Sequence, residues 1–513
     1  KHACTVLTES LYTQIVAASP HISVHTLHPQ IVDTNIDKSF LGYGGLGDVL
    51  FHHRGMPPAK VATDLFRGVE RGDFYIYAEN PGDEGWTSRA ILSRMERLVS
   101  RRAPQAAPQM TVAQGLFASR PAIVARLNCH SASSLEGGVA VITGGASGIG
   151  LAVAHEALQQ GLHVAIGDIE QGALDEAITE LRTAAEAAGA DLAVEGYQCD
   201  VTDPASCDAF ASSVFSSASF GGAAVSLLHC NAGVGAGQSV LDATPADWFF
   251  TFSVNVFGVA NTLRSFVPSM VQRGAPGAVV TTSSIAGVSS SGGPYGSSKH
   301  AVTALTEALS FELAQGESLT LYTYCRSRSA LLARLQIIAC CYNLQIRFSG
   351  ANSFVSCVTW CVCASAAPNL SVHTVLPFIV ATNITNSERN RPKALDRPGD
   401  RSASFLPGID QGIDLWKDDG MPPAKVSKHV FDAISSNGDF YIYVDNVEDP
   451  DYCVRSAIKR MSRMAEASTP EGLSGSNLFA DRLMPRLMAA AERPIAVRGQ
   501  PAAAVSSLRS ARL

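Results

Sequence analysis

An apolar run, Val139-Ala140-Val141-Ile142-Thr143, ends abruptly at three spaced glycines, Gly144, Gly148 and Gly150, and this stretch constrains the fold more than any other. The residues after it carry apolar side chains at Leu151, Val153, Ala154, Ala157 and Leu158, a spacing that predicts a helix from Ile149 to about Gln160 with one buried face. A strand, a tight turn and a helix start are therefore expected in succession. The first turn of a helix leaves backbone N–H groups without partners, and its dipole favours an anion there. Glycine lets a phosphate approach the backbone closely. Gly144, Ser147, Gly148, Ile149 and Gly150 are thus candidates for cradling a nucleotide pyrophosphate.

A second apolar run, Val164-Ala165-Ile166-Gly167, ends in Asp168, eighteen residues after Gly150. A carboxylate at that place accepts hydrogen bonds from adenosine ribose hydroxyls and repels a 2′-phosphate. NAD is favoured over NADP, and the absence of Arg or Lys between Gly144 and Gly150 points the same way. Apolar runs then alternate with amphipathic helical stretches: Val194 to Cys199, Val225 to Cys230, Ala278 to Thr282. This is the rhythm of an α/β chain with a doubly wound parallel sheet and helices on both faces. Ligands of such sheets sit at the strand ends. Asp200-Val201, where a carboxylate meets an adenine amino group, and Asn231-Ala232-Gly233, whose small residues allow close approach, stand at two of those ends.

Tyr295-Gly296-Ser297-Ser298-Lys299 opens a helix expected to run to about Ala314. An i, i+4 spacing places phenol and ammonium on one helix face. A free tyrosine has a pKa of about 10, so acid/base work at neutral pH needs a nearby positive charge, which Lys299 supplies. Ser283-Ser284 ends the fifth strand and offers a hydroxyl to a substrate carbonyl. Asn255, in the helical stretch Asp247 to Met270, is placed to hold a water linking the lysine to solvent. Each residue alone has an ordinary structural explanation, because Tyr and Lys four apart commonly decorate an exposed helix and Ser-Ser commonly ends a strand. Their order along the chain is what carries the signal.

That order, glycine turn, acid after the second strand, Asn-Ala-Gly, helical Asn, Ser-Ser, then Tyr-x-x-x-Lys, resembles the short-chain dehydrogenase/reductase family from about residue 135 to 465. The resemblance implies a Rossmann-type fold and hydride exchange between a nicotinamide and a secondary alcohol or ketone. It implies Tyr295 as general acid/base, Lys299 lowering its pKa and binding the nicotinamide ribose, Ser284 orienting substrate and Asn255 supporting a proton relay. Thr382 matches the position that hydrogen-bonds the carboxamide. A homodimer or homotetramer, paired through the helices containing Asn255 and Tyr295, is also implied. Two departures stand out. The 11 residues from Ser284 to Tyr295 are about two fewer than the family usually has, which leaves Ser283 as an alternative, and Pro377-Phe378 replaces a usual Pro-Gly, so that a phenylalanine could crowd the carboxamide. A catalytically inactive nucleotide-binding or scaffold protein is the competing reading.

Residues 1–127 repeat the far end of the chain. Lys1-His2-Ala3 through Thr8-Glu9 matches Lys299-His300-Ala301 through Thr306-Glu307 at an offset of 298, and Ser23-Val24-His25-Thr26 matches Ser371-Val372-His373-Thr374 at an offset of 348. Thr34-Asn35-Ile36 matches Thr382-Asn383-Ile384, Met56 to Val61 matches Met421 to Val426, and Gly72 to Tyr77 matches Gly438 to Tyr443. The pattern predicts a domain-scale duplication: a partial copy of the C-terminal half over 1–127, a linker over 128–134, the NAD-binding domain over 135–467 and a low-complexity tail over 468–513. The first copy has Lys1 at the lysine position with no tyrosine, serine or glycine turn before it, so it is not expected to catalyse by itself.

The later copy carries 50 additional residues at about 316–365, a stretch with half of the chain's 12 cysteines. Cys357, Cys361 and Cys363 match no paired CxxC and supply no clear fourth ligand, so a surface insertion, such as translated intron in a mis-assembled tandem gene, is favoured over a metal site. The insertion raises a second possibility, that residues 20–80 replace 370–445 in completing the sheet; the contiguous copy is favoured because its helix is already joined to the core. A net charge of −7 gives no basic footprint for nucleic acid or anionic membranes, and no apolar run reaches transmembrane length. Because the chain opens on Lys1 inside an expected helix, it reads as N-terminally truncated. The compartment stays open, cytoplasmic by default.

Overall fold

The computed structural model describes residues 2–19, 21–33, 55–99, 135–187, 189, 191–235, 239–289, 292–314, 369–395, 420–435, 439–445 and 452–465. The expected linker, the insertion at 316–365 and the tail from 468 lie outside these. In chain order the first part comprises α1 (His2–Ala18), β1 (Thr26–Pro29), α2 (Pro58–Arg71), β2 (Tyr75–Ala78) and α3 (Trp86–Val99). There follow β3 (Val139–Thr143), α4 (Gly148–Gln159), β4 (His163–Asp168), α5 (Gln171–Ala187), β5 (Val194–Gln198), α6 (Pro204–Ser216) and β6 (Val225–Cys230). The last part comprises α7 (Pro245–Phe252), α8 (Gly258–Arg273), β7 (Gly277–Thr282), α9 (Gly293–Ala314), β8 (Leu370–Pro377), α10 (Pro423–Ser435), β9 (Tyr441–Val444) and α11 (Tyr452–Ala465).

Among the described residues, β3 to β9 form one seven-stranded parallel sheet in the order β5-β4-β3-β6-β7-β8-β9. Side chains alternate along a strand, so each strand feeds both faces. In β3, Val139 and Val141 join a core shared with α6, α8 and α9, whereas Ala140 and Ile142 join a core shared with α4, α5 and α10. Helices thus cover both faces, as the near-continuous apolar strands require. The chain runs outward from β3 to β5, returns, and runs outward again from β6 to β9. The strand order reverses between β3 and β6, and their C-terminal ends open the crevice where such sheets bind ligands.

The sheet is completed by residues 370–377 and 441–444, the contiguous copy, while residues 26–29 and 75–78 form a separate two-stranded parallel sheet. The aromatic strand around Phe440 to Tyr443 is a packing element: Phe440, Tyr441 and Tyr443 are all buried. The helical stretch expected from Asp247 to Met270 is not one α-helix. It consists of α7, a π-helical turn over Ser253–Phe257 and α8. Pro268 lies inside α8 without ending it.

Candidate active site

The glycine turn is held by contacts that exclude side chains. Gly144 and Gly148 have φ of +62° and +55°, a region L-residues rarely adopt. A Cβ at Gly150 would sit 2.1 Å from the Gly144 carbonyl oxygen, and one at Gly144 would sit 2.9 Å from the Ala232 Cα. The glycines thus let the turn fold tightly against itself and against β6 at the start of α4. Asn231 stitches it to β6: its Nδ2 donates to the carbonyl oxygens of Thr143 (3.2 Å) and Gly144 (3.1 Å), and its own N–H donates to the Thr143 hydroxyl at 3.1 Å. Ser147 is the N-cap residue of α4, and Ile149 sits partly buried in that helix's first turn.

Asp168 ends β4 beside this turn. Its Oδ2 accepts from the Ala146 N–H at 3.0 Å and its Oδ1 from the Glu170 N–H at 3.1 Å. The acid thus stiffens the glycine turn and stands at its mouth. Asp200 accepts twice from Thr202 through Oδ1, from the N–H (2.9 Å) and the hydroxyl (2.8 Å). Val201 fills the space beside Gly258, where a Cβ would meet it at 2.6 Å. Thr382 caps the 3-10 segment Asn383–Asn390 and lies against Gly148, whose Cβ would meet the Thr382 methyl at 3.0 Å. Gly148, Leu151, His155, Thr382 and Asn383 line a cleft of about 320 Å³. A larger surface hollow lies elsewhere, between α5 and β5 around Arg182 and Glu195, and contains none of these residues.

Tyr295 and Lys299 lie one turn apart on α9, with the Lys299 Nζ 5.7 Å from the centre of the Tyr295 ring. The Ser284 side chain acts on the phenol, drawing its pKa down. Ser283 is committed elsewhere: its hydroxyl donates to the Lys299 carbonyl at 2.9 Å and pairs with Thr303 at 2.8 Å. Ser283 is thus tied to α9, and of the two serines Ser284 is the one that acts on the phenol. Lys299 is buried and donates to the Thr282 carbonyl at 3.0 Å. Burial draws its ammonium down to about 8, from an ordinary 10.5. Burial also raises the Tyr295 phenol, and the Ser284 hydrogen bond opposes that rise.

Asn255 sits in the π-helical turn, a distortion that recurs at functional sites. Its Oδ1 accepts from the Val234 N–H (2.8 Å), and its Nδ2 donates to the Val234 carbonyl (3.0 Å) and the Ser298 hydroxyl (3.0 Å). Gly233 lies between this amide and the lysine, since a Cβ there would come within 3.3 Å of Asn255 Oδ1 and 3.4 Å of Lys299 Nζ. The Phe378 ring packs edge-to-face on Tyr452 of α11, centroids 5.6 Å apart, and its N–H donates to the Val444 carbonyl at 3.0 Å.

Several contributors are not marked by any sequence pattern. The segment Asn383–Arg391 is tied down on two sides. Arg389 and Asn390 both bond Glu170, two residues past Asp168, at 2.7 and 2.9 Å. Arg391 pairs with Asp247 of α7 (2.9 Å) and Glu388 (2.6 Å), and its guanidinium lies 4.7 Å from the Phe250 ring centre. Thr143, Thr282 and Ser298 position Asn231, Lys299 and Asn255 through hydroxyl or carbonyl groups that any strand end or helix provides.

A parallel sheet whose order reverses at a glycine turn, with Ser284, Tyr295 and Lys299 at the neighbouring strand ends, is the architecture of a nucleotide-binding α/β protein. The short chain dehydrogenase family profile matches residues 138–323. An uncharacterized short-chain type dehydrogenase/reductase of Sinorhizobium fredii is 37% identical over 184 residues, 35% of this chain and 69% of that protein. A C alpha-dehydrogenase of Sphingobium sp. is 34% identical over 171 residues, 33% of this chain; the chain spans only 53% of that relative's length. The crystal structure of a short-chain dehydrogenase/reductase from Burkholderia phymatum in complex with NAD is 28% identical, with 66% of this chain and 98% of that one covered and a TM-score of 0.49. The chain belongs to the short-chain dehydrogenase/reductase family. Among the described residues no helix is long and apolar enough to cross a membrane.

Proposed function

We propose that the chain is an NAD-dependent oxidoreductase interconverting a secondary alcohol and a ketone, with Tyr295 as the general acid/base. The observation that carries this reading is the buried Lys299 held one helical turn from Tyr295, its Nζ 5.7 Å from the ring centre. A lysine is costly to bury without a role, and this one is held one helical turn from a phenol whose ionisation it favours. The turn Gly144–Gly150 supports a dinucleotide site: Gly144 and Gly148 adopt positive φ and Gly150 packs against the Gly144 carbonyl, which keeps backbone at the start of α4. When bound there, the nicotinamide supplies the hydride acceptor for oxidation and the hydride donor for reduction.

The remaining roles belong to side chains of this chain. In oxidation, the Tyr295 phenolate oxygen takes the proton of the substrate hydroxyl; in reduction, the phenol returns a proton to the carbonyl oxygen. The Ser284 hydroxyl orients that oxygen and donates to it as charge develops. Lys299 supplies the positive charge that makes the phenolate accessible, and its ammonium remains mainly protonated at pH 7. Asn255, anchored to Val234 and Ser298, fixes the π-helical turn next to Gly233 and orders the route by which the lysine region exchanges protons with solvent. Asp168 selects NAD by accepting from ribose hydroxyls and repelling a 2′-phosphate. When the cofactor is bound, Thr382 would hold its carboxamide, Asp200 and Val201 would meet its adenine, and Asn231, Ala232 and Gly233 would let it approach the backbone closely.

The test is calorimetric titration of the full chain with NAD and NADP, followed by an absorbance screen of secondary alcohols. NAD binding at least tenfold tighter than NADP, with turnover lost in Tyr295→Phe but binding retained, supports the reading. Binding without turnover of any alcohol or ketone would favour a nucleotide-binding protein without this chemistry.

A further inference from the structure

Residues 2–99 reproduce the local geometry of the chain's last part. β1 pairs with β2 in the register Thr26↔Tyr75, and β8 pairs with β9 in the register Thr374↔Tyr441, the positions that the sequence repeat aligns. The isolated bridges Val32↔Met56 and Val380↔Met421 also correspond. His25 and His373 each place Nδ1 on the carbonyl of the matching aspartate, Asp73 at 2.7 Å and Asp439 at 2.8 Å. In each part a buried tyrosine of the second strand donates to a glutamate of the preceding long helix at 2.9 Å: Tyr75 to Glu9, and Tyr441 to Glu307.

The two parts then exchange cations. Arg94 of α3 bonds Glu307 at 2.7 Å, and Arg460 of α11 bonds Glu9 at 2.8 Å. The repeat aligns Arg94 with Arg460 and Glu9 with Glu307, so each glutamate takes its tyrosine from its own part and its arginine from the other. Residue i meeting j while j meets i is the signature of a twofold, isologous interface. Here it lies within one chain. α1 packs along α9, and α3 along α11. Leu98 is 1% exposed and belongs to the same apolar core as Cys453, Ala457 and Met461. Ser88 donates to the Ala465 carbonyl at 3.0 Å, Tyr77 to that of Met464, and Ser462 to the Met95 sulfur at 3.5 Å.

We infer that residues 2–99 act as a built-in partner subunit, occupying in cis the α9/α11 face on which the matching elements of a second copy of this chain would otherwise dock. The four salt-bridging side chains are at most 14% exposed, so an arginine or glutamate left there without its counterpart carries a large penalty. The partner also reaches the catalytic helix. A Cβ at Gly292, three residues before Tyr295, would lie 1.7 Å from the Ser10 hydroxyl oxygen, so α1 is seated directly against the segment that leads into the acid/base residue.

The experiment introduces Met95→Cys with Ser462→Cys into the full chain and follows oxidative linkage by denaturing electrophoresis and peptide mass mapping. A 95–462 link at single-chain mass is expected in most molecules. Adding Glu9→Arg and Arg94→Glu, which sets like charges against Arg460 and Glu307, should lower that yield at least tenfold. Further adding Glu307→Arg and Arg460→Glu restores opposite charges and should recover it. Linkage at twice the chain mass, or a yield indifferent to the reversals, would overturn the inference. If the half-reversed chain aggregates, the fully reversed chain decides: parental yield supports the interface and loss refutes it.

Discussion

Replacing Lys299 by methionine is expected to stabilise the protein while abolishing its chemistry. Burial draws the Lys299 ammonium from its ordinary 10.5 down to about 8. At ~1.4 kcal/mol per unit, keeping this side chain charged in the folded state costs roughly 3 kcal/mol. The methionine forfeits the hydrogen bond to the Thr282 carbonyl, and leaving that oxygen short of a donor costs ~1–2 kcal/mol. The net gain at pH 7 is about 1–2 kcal/mol, or a few degrees in Tm at roughly 2–4 °C per kcal/mol. The sign of the pH dependence follows from proton counting. Between pH 8 and 10.5 the unfolded lysine binds the proton and the folded one does not, so the parent gains stability as pH rises through this window. The advantage of Lys299→Met is therefore full below pH 8 and shrinks towards pH 10.5. Thermal unfolding by circular dichroism at about pH 7, 8.5 and 10 reads it. A variant less stable than the parent at pH 7, or a difference that does not shrink with pH, refutes the reasoning.

Tyr295→Phe is expected to lower kcat by ~10²–10⁴ with the NAD dissociation constant within about twofold of the parent, measured by steady-state kinetics and calorimetry. Asp168→Ala should weaken NAD by roughly tenfold, about 1.4 kcal/mol, and narrow the preference over NADP, read from the two dissociation constants. Gly150→Ala sets a methyl 2.1 Å from the Gly144 carbonyl oxygen; it is expected to cost ~1–3 kcal/mol and eliminate nucleotide binding, checked by denaturant unfolding and titration. Arg391→Ala takes the guanidinium from the buried Asp247 while leaving its Thr244 capping bonds in place, and should cost about 3 kcal/mol and release the Asn383–Asn390 segment to faster hydrogen exchange.

The strands, the turn and the helix starts were legible because each is a local pattern. Val139 to Gly150 states its own conformation through an apolar run and glycine: the observed strand covers the run Val139–Thr143, and α4 starts and ends one residue earlier than read. Tyr295 and Lys299 were legible because four residues is one helical turn. The distinction between Ser283 and Ser284 was not, since both end β7 and only the packing of α9 assigns Ser283 to Thr303 and Ser284 to the phenol. The π turn at Asn255 has no local signature either; it arises where the side chain must reach both Val234 and Ser298. Phe378 looked like an obstacle beside the nicotinamide, yet its ring finds Tyr452, more than seventy residues away. The clamps on Arg389 and Arg391 join residues more than a hundred positions apart, a distance at which spacing conveys nothing. The sequence repeat was visible, but the reciprocal pairing of Arg94 and Arg460 with the two glutamates emerges only when both copies stand face to face.

The most direct test of the central claim is single-turnover hydride transfer by the full chain: loaded with reduced NAD and mixed with a panel of ketones, its loss of nicotinamide absorbance is followed beside Tyr295→Phe. Oxidation of the cofactor by at least one ketone, slowed a hundredfold or more in the variant while both proteins bind the nucleotide equally, is the predicted result. Equal rates in the two proteins would contradict the assignment of Tyr295, and failure of the parent to bind either nucleotide would contradict the Gly144–Gly150 cradle itself.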